Sequence, residues 1–283
     1  MKRTSAVWAA LALFLLWPSP WCRAEPFHPV FRGYFASAEC TLQEQRDEKY
    51  LSLLAVSVKI SVSGASGSGT ICHYDPSTGW AYVISCGHLW SGNKDYDPLS
   101  KAPAKVVTWY KGGAKTATPL TYDAEVMFWS NRRGYDVSLL RFKPDWNASY
   151  APISSGLSPT KGTTLNSLGC DGGREVSRYA VVIDALDSAD LTTKMNSPRP
   201  GRSGGGLLTD DCTLVGVCWG TSDISSGDGV GFFTPLEAIR EMFNKNGHSW
   251  LLEVDIQACR IPVFDHDNPS AKYDRHFVPL PMR

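Results

Sequence analysis

The residues best suited to chemistry lie in one glycine-rich run, Arg199-Pro200-Gly201-Arg202-Ser203-Gly204-Gly205-Gly206-Leu207-Leu208, which is followed by Leu214-Val215-Gly216-Val217-Cys218-Trp219-Gly220. A serine flanked by glycines ahead of an apolar strand is a candidate nucleophile. A substrate carbonyl must reach Ser203 Oγ while backbone N–H groups point at the developing oxyanion, and side chains on the flanking residues would obstruct both. Glycine–serine turns are common, so the run needs support from elsewhere in the chain. Val83-Ile84-Ser85-Cys86-Gly87-His88 places a histidine at a strand end, and Gly134-Tyr135-Asp136-Val137-Ser138-Leu139-Leu140-Arg141-Phe142 places an aspartate at the start of an apolar strand. The other histidines (His28, His73, His248, His266 and His276) have no such setting and read as structural or exposed.

The elements that must position these residues are short strands. From Leu53 to Val62 apolar residues alternate with small or polar ones, as in a half-buried strand, and Gly64 to Gly69 interrupts it. Thr70 to Tyr74 and Trp80 to Ser85 flank the turn-rich Asp75-Pro76-Ser77-Thr78-Gly79, which predicts a hairpin with His88 just past its second strand. Further strands are predicted at Lys105–Tyr110, Ala124–Trp129, Val137–Phe142, Thr164–Leu168, Tyr179–Ile183, Gly205–Leu208, Leu214–Trp219 and Val230–Phe233. Their spacing is that of an all-β barrel protein. Only Pro235 to Asn244 reads as a helix, with proline at its start and Leu236, Ile239, Met242 and Phe243 at helical spacing. The polar stretch from Pro144 to Pro159 is the predicted divide between two barrels.

At this point the chain resembles the chymotrypsin-like serine peptidases, closest to the bacterial trypsin-like and high-temperature-requirement type. In that superfamily the three chemical residues come in the order His, Asp, Ser in these local contexts, and the resemblance runs from about Ala55 to Lys245. It implies two antiparallel six-stranded β-barrels with a C-terminal helix, the first over about 51–148 and the second, with the helix, over about 149–250. It also implies acyl transfer on protein or peptide substrates, with Ser203 as nucleophile, His88 as general base and Asp136 orienting His88. The backbone N–H groups of Gly201 and Ser203 would form the oxyanion hole. No metal or organic cofactor is implied.

Two residues depart from the family's pattern. Arg202 stands where animal digestive members carry the aspartate that pairs with a newly cut N-terminus, so activation by that ion pair is not expected. Cys218 replaces a serine that offers a hydrogen bond to the triad aspartate. These departures sustain an alternative, a catalytically impaired protease-like protein that binds proteins or peptides. The family's specificity pocket maps to Ser197 at its base and to Cys218, Trp219, Gly220 and Gly231 on its walls. With no carboxylate at Ser197, a neutral pocket for apolar or aromatic side chains is expected, with acidic side chains as the alternative because of Arg199. An α/β-hydrolase reading of Gly201-Arg202-Ser203-Gly204-Gly205 is set aside: it needs the order Ser, acid, His and alternating helices.

Composition is that of an ordinary globular protein. Of 283 residues 43% are apolar and 20% charged, and 28 basic residues balance 28 acidic ones, which gives no electrostatic case for nucleic acid or an anionic membrane. Met1-Lys2-Arg3, the apolar run Ala6–Trp17 and Cys22-Arg23-Ala24 read as a signal peptide over 1–24, too short for a lasting membrane span, so the mature protein is expected to be secreted or periplasmic. Residues 25–50 read as an extension and 251–283 as a surface or partly disordered tail. Signal removal leaves seven cysteines (40, 72, 86, 170, 212, 218 and 259) in a compartment that permits disulfides, so a few structural bridges and at least one unpaired thiol are expected.

Overall fold

A computed structural model describes residues 50–62, 64–91, 104–156, 158–187, 189–222, 229–253, 262–263 and 276–277. The predicted leader, most of the extension and most of the tail lie outside these residues, as do Cys40 and Cys259.

Twelve strands form two closed antiparallel barrels. The first holds β1 (Ser57–Val62), β2 (Ala65–Asp75), β3 (Trp80–Ser85), β4 (Ala104–Lys111), β5 (Ala114–Arg132) and β6 (Tyr135–Phe142) in the order β1-β2-β3-β6-β5-β4. Pairing of Lys59 with Val107 between β1 and β4 closes it. The second holds β7 (Thr164–Gly169), β8 (Ser177–Leu186), β9 (Leu191–Lys194), β10 (Gly206–Leu208), β11 (Leu214–Thr221) and β12 (Gly231–Pro235) in the order β10-β11-β12-β9-β8-β7. Pairing of Leu207 with Ser167 closes it. Two helices follow strands: a single turn α1 (His88–Ser91) after β3 and the amphipathic α2 (Leu236–Lys245) after β12. Two short segments of the tail, β13 (Pro262–Val263) and β14 (His276–Phe277), pair antiparallel.

The mostly β, two-barrel expectation with a C-terminal helix matches this architecture, and the predicted divide falls in the 143–163 connection between β6 and β7. Three local expectations change. Residues 50–55 are helical, not the start of a strand: Leu53 and Val56, three apart, both enter the core, and the alternation begins only at Ser57. The sequence around Gly64–Gly69 does not interrupt a strand for long, because β2 already starts at Ala65. β5 is 19 residues long and bends at irregularities opposite Thr108/Tyr110 and at Val126/Phe128, as closure of a small barrel requires.

Each barrel has its own interior. Val58, Ile60, Ile71, Val83, Val106, Leu140 and Phe142 fill the first, and Leu165, Val181, Ile183, Leu191, Leu207 and Phe233 the second. A larger cluster joins them, with Ile84, Val137 and Leu139 from the first barrel against Leu168, Leu208, Leu214 and Val217 from the second. Leu236, Ile239 and Phe243 of α2 complete this cluster, and Phe243 meets Phe128 of β5 edge-to-face at 5.3 Å, so the helix that ends the second barrel packs back on the first. The cleft between barrels is thereby fixed by apolar burial on one side of it. The five described cysteines are all buried and unbridged, so the expected bridges do not form among the described residues; they pack as small hydrophobes.

Candidate active site

His88 opens α1 at the end of β3, and Asp136 is the second residue of the neighbouring β6. The pairing of β3 with β6 brings the two side chains together. His88 Nδ1 lies 2.7 Å from Asp136 Oδ2, while Asp136 Oδ1 accepts from the backbone N–H groups of Gly87 (2.5 Å) and His88 (2.8 Å). A buried carboxylate with all these partners is an anchored acceptor, and donation of Nδ1–H to it leaves the lone pair of a neutral imidazole on Nε2. That nitrogen lies 3.6 Å from Cys86 Sγ. Ser138 Oγ donates to the Cys86 carbonyl (2.9 Å), and from the second barrel Thr234 Oγ1 donates to the Asp136 carbonyl (2.9 Å).

Ser203 comes from the second barrel, half-buried in the turn before β10. Its carbonyl accepts from Ser68 N–H on β2 at 2.6 Å, and Gly204 beside it has φ +88° with no room for a Cβ between Ser68 O, Ser85 Oγ and Cys86 N. The serine turn is therefore pressed directly against the strand end that leads into His88. Ser203 Oγ makes no hydrogen bond among the described residues; such bonds commonly tighten only when substrate is bound.

The turn's peptide planes have a defined direction. The Pro200 carbonyl accepts from Gly172 N–H (2.6 Å) and the Arg202 carbonyl from Gly205 N–H (2.9 Å). Both peptides are trans, so the N–H groups of Gly201 and Ser203 point away from those carbonyls, and neither donates to a partner among the described residues. Gly201 has φ +92°, and a Cβ there would collide with Cys170 O, which explains the glycine.

Arg202 supports this turn from beneath. Its side chain is fully buried, with the guanidinium 3.8 Å from the Tyr179 ring centroid and 3.5 Å from Asp171 Oδ1. It donates to Ser177 O (3.0 Å), Gly169 O (3.2 Å) and Ser177 Oγ (3.2 Å). Tyr179 OH donates in turn to Asp171. Burial pushes the Arg202 pKa down, opposed by Asp171, but from so high a starting value that the group stays charged. The residue read as a departure from the family's aspartate is thus an internal cation that ties the serine turn to β7 and β8. Cys218, the other departure, makes no hydrogen bond to Asp136; burial pushes its thiol up to about 12.

The predicted pocket residues gather in part. Ser197 is buried, and its Oγ has no hydrogen-bond partner among the described residues. A Cβ on Gly231 would lie 2.7 Å from Pro198 Cδ and 2.7 Å from Thr193 Oγ1, so that wall is already closed by Pro198 and Thr193. Cys218 pairs with Phe233, Gly220 with Phe232, and Trp219 bulges between them to stack on Phe232 at 5.0 Å. Trp219 Nε1 donates to Asp190 Oδ1 (3.1 Å), a buried carboxylate beside the pocket wall that the sequence did not single out from its neighbours Asp184 and Asp187. Arg199 is exposed. His73 and His248 are held in aromatic clusters with Tyr82, Tyr150 and Trp250 and with Phe128, as expected of structural histidines.

A two-barrel fold carrying a His–Asp pair on one barrel and a glycine-framed serine on the other defines the trypsin-like peptidases. The chain belongs to that family: the trypsin-like peptidase domain matches residues 67–217. Among solved structures it is similar to the MamO protease domain from Magnetospirillum magneticum in its apo form, at 17% identity and TM-score 0.50 over 68% of this chain and 98% of that one. It is also similar to Deg5 (16%, TM-score 0.55, 72% and 94%) and to an inactive form of the Rv3671c protease (17%, TM-score 0.51, 71% and 94%). At these identities the likeness is one of fold. No curated protein matches the sequence.

Proposed function

We propose that the protein is an extracytoplasmic serine endopeptidase whose domain spans about residues 51–250. The observation that carries this reading is the direction of the two peptide planes before and at Ser203, which leaves the Gly201 and Ser203 N–H groups without an acceptor among the described residues, in a turn packed against the strand end that leads to the His88–Asp136 pair. Ser203 Oγ attacks the substrate carbonyl as its proton passes to His88 Nε2. The Gly201 and Ser203 N–H groups stabilise the resulting oxyanion, a contribution of about 2.7–4 kcal/mol per donor in such sites. The C–N bond then breaks with the proton delivered from His88 to the leaving amine, and water, deprotonated by His88, releases the acyl group and restores Ser203. Asp136 holds His88 in the tautomer this requires. With no carboxylate at Ser197 and with Gly231 hemmed in by Pro198 and Thr193, apolar or aromatic side chains are favoured over Lys or Arg.

Intact-mass analysis after fluorophosphonate treatment tests the reading. One adduct is expected on the native chain and none on Ser203→Ala, whose stability should change by less than about 0.5 kcal/mol because a turn hydroxyl without partners packs nothing. A second reading, a protease-like binder without turnover, is favoured by one observation: His88 Nε2 is in contact with Cys86 Sγ. Absence of an adduct on the folded native chain would select it.

A further inference from the structure

The thiol beside the base has its own chemistry. Cys86 Sγ, His88 Nε2 or Nδ1 and an Asp136 oxygen each offer a donor atom, and the three lie within 4.8 Å of one another. The sulfur and Nε2 are 3.6 Å apart. A tetrahedral zinc ion with Zn–S of about 2.3 Å and Zn–N of about 2.05 Å sets its sulfur and nitrogen ligands about 3.6 Å apart, so both donors already stand at the required bite. The rest of the arrangement is that of a histidine prepared for a metal: its other nitrogen is bonded to a carboxylate at 2.7 Å, which fixes ring orientation. Asp136 is occupied by Gly87 N–H, His88 N–H and His88 Nδ1, and so serves from the outer sphere. Ser138 Oγ on the Cys86 carbonyl and Asp136 on the two following amides hold both ligands without an ion present. Cys86 is fully buried and the His88 side chain is about one third exposed, so an ion enters from the cleft, past the imidazole.

We propose that Cys86 and His88 form a binding site for a borderline-soft divalent cation of the zinc type, and that the bound ion switches the peptidase off. On binding, the ion takes the place between sulfur and nitrogen, the thiol proton leaves to solvent, the Sγ thiolate and the Nε2 lone pair become ligands, and water fills the remaining positions. Nε2 can then no longer take the proton of Ser203. A nitrogen–thiolate pair selects zinc or cobalt over magnesium or calcium, which prefer oxygen. The inhibitory part rests on His88 being the base; the binding part does not.

Cobalt(II) titration of the full chain, reduced and freed of metal with a chelator, reads the binding directly. A near-ultraviolet thiolate-to-cobalt absorption is expected to saturate at one equivalent, to be displaced by zinc and to be unaffected by magnesium. It should vanish in Cys86→Ser, weaken at least tenfold in His88→Gln and about 10–100-fold in Asp136→Asn, and persist in Cys218→Ser. No absorption in the native chain, or one that survives Cys86→Ser, would overturn the site, and the native-chain result needs no variant to fold. Fluorophosphonate labelling with zinc and then chelator reads the second part: labelling should be lost and then restored. A cobalt signal without labelling under any condition keeps the site and discards the peptidase, whereas labelling that zinc does not slow, on a chain without the cobalt signal, does the reverse.

Discussion

In the first barrel a single carboxylate does the holding: Asp136 gathers the His88 ring and two backbone amides onto its two oxygens, all within eight residues of the ends of β3 and β6. In the second barrel the serine carries almost none of its own support. The turn is framed by backbone carbonyls of Pro200, Arg202 and Ser203, each accepting from a fixed N–H, and by the Arg202 guanidinium buried under Tyr179. The strand order is the same in both barrels, yet one half of the cleft is set by side-chain hydrogen bonds to one acceptor and the other by backbone geometry over an internal cation. The first half should fail chemically when Asp136 changes, and the second should fail structurally when Arg202 changes.

The largest effect is expected at Asp136. In Asp136→Asn the amide oxygen can still accept from Gly87 and His88, so the fold should survive, but an amide N–H facing Nδ1 imposes the wrong imidazole tautomer. Single-turnover acylation is expected to slow by about 10⁴-fold, with thermal midpoint little changed. A loss below tenfold would mean that His88 is oriented by something other than this carboxylate.

Arg202 sharpens the contrast from the other side. Arg202→Met fills similar volume but leaves the carbonyls of Gly169 and Ser177 without their charged donor and the half-buried Asp171 without its cation, a loss of about 1–3 kcal/mol. Urea denaturation should show that loss, and fluorophosphonate labelling should fall because the Gly201 N–H loses its fixed direction. The pair Arg202→Met with Asp171→Leu is expected to recover much of the stability, since replacing both partners removes the stranded charge. Full labelling in the single variant would show that backbone bonds alone hold the turn.

Across the barrels the expected effect is smaller. Thr234→Val keeps the shape of a fully buried side chain and removes the hydrogen bond to the Asp136 carbonyl, for about 1–2 kcal/mol with the acceptor left unpaired. Acylation should change by less than the loss of stability suggests, because three bonds to the Asp136 carboxylate remain. Denaturation and acylation measured on the same preparation separate the two.

These contrasts also explain what could be read from the sequence. His88, Asp136 and Ser203 were legible because each sits at a strand end with a strong local signature: the Asp75–Gly79 turn, the apolar run Val137–Phe142 and the glycines about Ser203. The first half of β5 was not, because Lys115 to Asp123 is largely exposed and contains Pro119, so neither alternation nor apolar runs mark it; its strand character comes from closing the barrel against β4. β9, at four residues, is too short for a period. Arg202 was visible as a departure, but its partners Asp171 and Tyr179 lie 31 and 23 residues earlier and meet it only once β7 pairs with β8. The cysteine count suggested bridges, whereas the described cysteines are buried and unbridged, and only the structure places one of them against His88.

The smallest effect belongs to the β2–β3 turn, where the first barrel again relies on a side-chain carboxylate. Asp75 accepts from Ser77 N–H, Ser77 Oγ and Thr78 Oγ1, and the two hydroxyls lead in drawing its pKa from 3.8 to about 2. A depressed carboxylate stabilises the fold in its ionised form: the contribution is complete above the unfolded value of 3.8 and is lost as pH falls through about 2. Asp75 is only half-buried and its bonds to Ser77 and Thr78 face solvent, so screening keeps the contribution small. Asp75→Asn is therefore expected to lower the denaturation midpoint slightly at neutral pH, and the gap to the native chain should close between pH 4 and pH 2. A gap that stays constant through that range would mean that the turn is held by its Pro76 and Gly79 backbone, as the serine turn is held by its own, and would erase this part of the difference between the barrels.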